Sequence, residues 1–153
     1  GNAYLNVALS DTANNLTITG NYGYYNQYSN HSFVTLKATM IQTFEKDTLF
    51  LSADTLQLFH DSITNLNEVY AYYNVRFYKP DLQGSCDSLS FVQKDSLIKM
   101  YNQPVLWSDQ NQLTGNYMEI EIYDGKINKL NIYTHSFIIT EVDSTLNYYN
   151  QIK

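Results

Sequence analysis

Apolar and polar residues alternate along most of this chain. The period of two runs through residues 16–19 (LTIT), 49–53 (LFLSA), 56–59 (LQLF), 89–91 (LSF) and 118–122 (MEIEI), which predicts half-buried β-strands. Val, Ile, Thr, Tyr and Phe dominate these stretches, as pleated surfaces favour. No window sustains a helical period. Turn formers fall between the runs. The Asp-Gly of YDGK, residues 123–126, predicts a two-residue hairpin pairing 118–122 with 127–132. KPD (79–81), SDQN (108–111) and EKD (45–47) predict further turns. Residues 61–68 are the least strand-like and predict a loop or one helical turn.

The alternation changes phase in one informative place. Leu49, Leu51 and Ala53 are apolar at odd positions, and Leu56 and Leu58 at even ones. Continued burial across such a flip requires a bulge or corner at Ala53-Asp54. The same small-then-Asx pair recurs as Gly20-Asn21, Cys86-Asp87 and Gly115-Asn116, at spacings of 33, 33 and 29 residues. A small residue allows close backbone approach, and Asn or Asp accepts turn geometry. A second phrase, NVAL, NVRF and PVLW, places Val at 7, 75 and 105. A chain that repeats its phrases stacks one structural unit. We read about four units of two or more short strands, each running along one sheet, turning at the corner and entering a facing sheet. The apolar faces of the two sheets then look at each other.

Composition narrows the function. Hydrophobic residues make up 44% of the 153, Tyr occurs 15 times, and the net charge is −6 with Arg76 the single arginine. A nucleic-acid partner needs a basic patch and is disfavoured, as is broad attraction to an anionic membrane surface. One cysteine, Cys86, leaves no intrachain disulfide. It occupies a corner where other units have Gly or Ala, so small size explains it. No apolar run approaches the roughly 18 residues of a membrane span, and no signal peptide is visible. His31, His60 and His135 lack metal-ligand spacing. Glu119 and Glu121 alternate with Met118, Ile120 and Ile122, which puts both on the outer face of a strand rather than in a paired-carboxylate site. Nucleophile-elbow, phosphate-loop and dinucleotide motifs are absent. No cofactor and no metal are expected.

The segments DTLFLSADTL, AYYNVRFYKPDLQGSCDSLSF, DSLIKMYNQPVLWSDQNQLTGNY and the closing NQIK resemble, in that order, the OstA-like (LptA-type) family of lipopolysaccharide-transport proteins in its Bacteroides-type form. The resemblance covers most of residues 47–153, and residues 1–46 join through the repeat. It implies an all-β, V-shaped, stacked-rung β-jelly roll of antiparallel strands. It further implies a periplasmic location with a signal peptide removed ahead of Gly1, a role in passing lipopolysaccharide along an apolar groove by its lipid A acyl chains, and end-to-end joining to copies of itself or to other jelly-roll proteins of the same system. Residues 1–153 are then one such domain, a segment of a longer protein. The recurring Asp-Ser/Thr-apolar triplets also resemble an O-glycosylation acceptor of such bacteria, although a turn residue opening a strand explains them as well.

The groove candidates are the inward apolar positions: Val7, Leu9, Leu49, Leu51, Leu56, Leu58, Val75, Phe77, Leu89, Phe91, Ile98, Met100, Val105, Trp107, Met118 and Ile120. A closed core and an open trough share one alternation pattern, so both readings stand at this point. Lys94, Lys99, Lys126 and Lys129 are candidates for lipid phosphates at the rim, or form a solvated strand face. Two other classes remain open. One is a carbohydrate-binding β-sandwich, with Tyr22, Tyr24, Tyr25, Tyr72, Tyr73, Tyr148 and Tyr149 stacking on sugars. The other is a structural β-solenoid segment.

Overall fold

A computed structural model describes residues 1–108, 111–124, 126–143 and 148–152. Long antiparallel strands follow one another by short turns: β1 (Asn2–Asp11), β2 (Leu16–Asn26), β3 (His31–Thr43), β4 (Thr48–Asp61), β5 (Leu66–Lys79) and β6 (Leu82–Val92). A single 3₁₀ turn, Gln93–Asp95, precedes shorter strands: β7 (Leu97–Tyr101), β8 (Val105–Ser108), β9 (Asn111–Thr114), β10 (Tyr117–Tyr123), β11 (Lys126–Tyr133), β12 (Phe137–Asp143) and β13 (Tyr148–Ile152). Among the described residues all thirteen belong to one sheet.

That sheet is folded along a crease. Each long strand crosses the crease, so its two halves lie on two walls. One wall follows the order β1-β2-β3-β4-β5-β6-β8-β9-β12-β13, and the other leaves β6 for β7, β10 and β11. The corner is therefore a bend within a continuous ladder, not a passage between separate sheets. Where β3 meets β4, Leu36 and Lys37 stand unpaired opposite Asp54; where β5 meets β6, Tyr73 and Asn74 stand opposite Asp87; where β1 meets β2, Leu5 and Asn6 stand opposite Asn21. Two residues against one is a bulge, which bends and twists the strand.

The crease alternates two devices from rung to rung. One is the small-Asx pair read from the sequence. The other is a pair of consecutive left-handed residues: Leu5-Asn6, Leu36-Lys37, Tyr73-Asn74, Asn102-Gln103 and Thr134-His135. Left-handed backbone costs non-glycine residues about 1–2 kcal/mol each, so the bend is held by its surroundings. Asx side chains supply part of that hold: Asn74 Nδ2 donates to Asp54 Oδ2 at 2.9 Å, and Asn102 Nδ2 to Asp87 Oδ2 at 3.3 Å. At Gly20, Val34 and the Thr35 carbonyl fill the space where a Cβ would stand.

The expected hairpin is present, with Met118 opposite Ile132 and Ile122 opposite Ile127, and Asp124 in the left-handed region at φ 50°. Gly125 and the middle of the 108–111 turn lie outside the described residues. The other two turns fall between strands as expected. Residues 61–68 are corrected: Asp61 ends β4 and Leu66 opens β5, leaving only a four-residue turn. In that turn the Ile63 amide and the Thr64 hydroxyl both donate to Asp61, so the polar residues serve the turn while the ladder resumes at once.

Candidate functional site

Between the walls the inward side chains form one contiguous apolar cluster running from Leu16 and Ile18 to Met118 and Ile120. Beside the crease it is dense: Val34, Leu56, Ala71, Met100 and Met118 have no solvent exposure. Farther from the crease, Leu9, Leu49, Leu58, Phe91, Ile98, Ile122 and Leu130 are only partly buried against it. The interior is thus packed at its base and open towards the wall tips. A cavity of about 520 Å³ occupies the opening at the β1–β5 end. Leu9, Leu16, Ile18 and Leu58 line its floor, and both walls contribute.

Fourteen of the sixteen groove candidates point inward: Val7, Leu9, Leu49, Leu51, Leu56, Leu58, Val75, Phe77, Leu89, Phe91, Ile98, Met100, Met118 and Ile120 are buried or packed on the apolar cluster. Val105 and Trp107 do not. Both stand on the outer face, where the Trp107 indole N–H donates to Gln112 at 3.2 Å, while Leu106 between them is fully buried. The reason is the left-handed pair. In four of the five such rungs the next residue is buried: Val7 after Leu5-Asn6, Ala38 after Leu36-Lys37, Val75 after Tyr73-Asn74, and Pro104 after Asn102-Gln103. Pro104, not Val105, is the counterpart of Val7 and Val75.

The cavity mouth is polar, which the alternation did not signal. Asp11 from one wall and Asn30, Ser32, His60, Asn65 and Asn67 from the other surround it. His60 Nδ1 lies 2.8 Å from Asn67 Oδ1. The Asn14 side-chain amide, donating to Asp11 at 2.7 Å, holds the Asp11 carboxyl below the usual range; the Asn14 and Ala13 backbone amides and the charge of His60 add to this, against partial desolvation.

The outer face carries different chemistry. Rings of Tyr4, Tyr22, Phe33, Tyr24, His31, Phe59 and Tyr70 contact one another in a ladder across β1–β5, with His31 stacked on Phe59 at 4.3 Å. Tyr101, Tyr117 and Tyr133 form a second ladder. Glu119 accepts from the Tyr117 hydroxyl at 2.7 Å and the Tyr133 hydroxyl at 3.0 Å, which lowers its pKa. Lys129 pairs with Glu121 at 3.7 Å, and Lys99 lies opposite Glu119, so these two lysines stand on the outer wall rather than at the mouth. Cys86 is buried at the crease, where desolvation pushes its thiol up to about 12; it is packing, not a nucleophile.

Comparison with known proteins fits this architecture. The solved structure of LptH, described as the LptA homologous periplasmic component of the conserved lipopolysaccharide transport device from Pseudomonas aeruginosa, superposes with a TM-score of 0.65 over 95% of this chain and 99% of that one. Sequence identity is 10%, so the likeness establishes the unclosed β-jelly-roll fold. No curated protein matches the chain. The model of the family described as LptA/(LptD N-terminal domain) LPS transport protein matches residues 12–126, three quarters of the sequence, and the chain belongs to that family.

Proposed function

We propose that the chain is a periplasmic carrier module that holds lipopolysaccharide by its acyl chains between the two walls. The observation that supports this reading is the single apolar strip, packed at the crease and open at the tips. Each CH₂ taken from water there contributes about 0.8 kcal/mol, which holds a lipid tail without any chemical step. The module is a carrier and not an enzyme, and energy for transfer comes from elsewhere in the device. We further propose that modules join end to end. β1 pairs only with β2 among the described residues, and its other edge presents backbone N–H and C=O groups that a strand of a second copy or of another jelly-roll protein can take up.

Lipopolysaccharide co-purified with the chain and quantified by its fatty acids tests the first part. Leu58→Asp places a charge on the half-buried floor and should abolish retention with an unchanged far-UV spectrum. Gln57→Asp, one residue away on the outer face, should retain it. Equal retention by both variants refutes the groove. The outer aromatic ladder favours a second reading, glycan stacking outside the wall. Binding on a glycan array that is lost in Tyr24→Ala would support it.

A further inference from the structure

We propose that the outer face carries a binding line for an extended, uncharged polysaccharide, laid beside the crease across nine strands and separate from the lipid cleft. The inference rests on the glycan reading of the outer wall, to which it adds the residues and the shape of the ligand. It does not depend on the cleft holding lipid.

The line is an effect of register. The last pair of each ladder before the crease brings one outward residue per strand into a single row. Tyr4 of β1 stands opposite Tyr22 of β2, and Thr35, Thr55 and Tyr72 follow on β3, β4 and β5. Ser88, Tyr101, Tyr117 and Tyr133 carry the row on through β6, β7, β10 and β11. Each of these side chains ends in a hydroxyl, and none is an acid or a base of the Asp, Glu, Lys or Arg kind. Their chain neighbours Leu56, Ala71 and Met118 are fully buried at the base of the cleft, so the row looks away from it. Several rings are already fixed. Tyr22 donates to Asn2 at 3.1 Å, and Tyr117 and Tyr133 donate to Glu119. Tyr4 touches Tyr22 at 5.0 Å between ring centres, and Tyr117 touches Tyr101 at 5.2 Å and Tyr133 at 5.3 Å. Rings held in this way lose little further freedom on binding.

Shape and charge decide the ligand. At a strand spacing of about 4.8 Å the row is about 38 Å long, and one residue wide it spans about 7 Å. That is roughly 270 Å², against about 800 Å² per partner in a stable protein interface, so the row fits a narrow polymer better than a folded partner. Nucleic acid needs cations, and the row has none; Lys99 in the adjoining row faces Glu119. A chain of sugar rings offers C–H faces to the tyrosines, and hydroxyls to the Tyr, Thr and Ser oxygens, which both donate and accept.

Cellobiose and cellohexaose, titrated into the intact chain by calorimetry, test the line. Linked subsites reward a longer ligand, so cellohexaose should bind at least about tenfold more tightly than cellobiose. Tyr101→Ser and Tyr133→Ser, at rings 38% and 43% exposed, should each weaken the hexamer about tenfold, the loss of one aromatic anchor. Tyr101→Phe keeps the ring and should keep most of the affinity. Tyr123→Ser, at an exposed tyrosine off the row, and Leu58→Asp in the cleft should leave it unchanged. Binding that ignores chain length, or ignores both serine substitutions, overturns the line; loss in Tyr24→Ala alone then leaves the glycan reading standing. No binding of cellohexaose to the folded chain overturns both. Row substitutions that change the sedimentation of the chain without changing sugar binding mark a protein interface and also overturn the line.

Discussion

Truncating Leu106 tests which side of β8 faces the interior. Leu106 has no solvent exposure and sits in the apolar cluster, whereas Val105 beside it is half-buried on the outer face. Leu106→Ala removes three carbons from the interior. At about 0.8 kcal/mol per carbon the transfer loss alone is about 2.4 kcal/mol, and the cavity left behind brings the range to about 2–5 kcal/mol. Val105→Ala removes two carbons from a position that burial only half covers, so it should cost no more than about 0.8 kcal/mol. Urea unfolding followed by far-UV circular dichroism measures both, and the comparison holds if the two variants keep the parent's m-value. Equal costs, or a larger cost at Val105, would refute the inward assignment of Leu106 and with it the parity-preserving role of the left-handed pair at Asn102-Gln103.

Other consequences follow from the crease and the outer face. Gly20→Ala drives a Cβ to 2.9 Å from the Thr35 carbonyl oxygen and against Val34, so stability should fall by about 1–3 kcal/mol; an unchanged unfolding midpoint contradicts the tight corner. Lys37 is exposed at φ 67°, so Lys37→Gly should be neutral or stabilising, while Lys37→Val should cost about 1–2 kcal/mol. Cys86, with its thiol pushed up by burial to about 12, should resist iodoacetamide at mildly alkaline pH until the chain is denatured, and labelling of the folded chain would refute its place at the crease. Glu119 is held below its ordinary 4.5 chiefly by the Tyr117 hydroxyl, then by that of Tyr133. A depressed folded-state value contributes stability above pH 4.5 that is lost as pH falls through the lower, folded value, so Glu119→Gln should flatten the acid limb of the stability–pH curve.

The sequence exposes the bend of β4 because Ala53-Asp54 leaves a visible mark: apolar positions change parity while burial continues. It conceals the bend between β7 and β8, because two left-handed residues inserted between inward positions leave the parity unchanged. Asn102 and Gln103 look like any polar turn, and the phrase PVLW invites an alignment on its valine. Only when Val7, Ala38 and Val75 are set beside Pro104 does the spacing of four between inward residues emerge. The apolar strip is legible for a similar reason: Leu51, Leu56, Met118 and Ile120 alternate strictly with polar neighbours. The mouth is not. Asp11, His60 and Asn67 point inward as polar residues, which erases alternation instead of creating it, and their convergence depends on tips of two walls that are distant in the chain. Glu119 is legible as outward-facing, but its two tyrosine partners are fixed by register, since Tyr133 lies on the neighbouring strand.

Site-specific photo-crosslinking measures the central claim most directly. A photoreactive phenylalanine analogue placed at Leu58 faces the cleft, and at Phe59 it faces the aromatic ladder on the outer wall. Irradiated with lipopolysaccharide, the chain should form adducts carrying lipid A from position 58 and from Leu9 on the opposite wall, with little from position 59. Adducts of equal yield from both faces, or from position 59 alone, would contradict a lipid held between the walls.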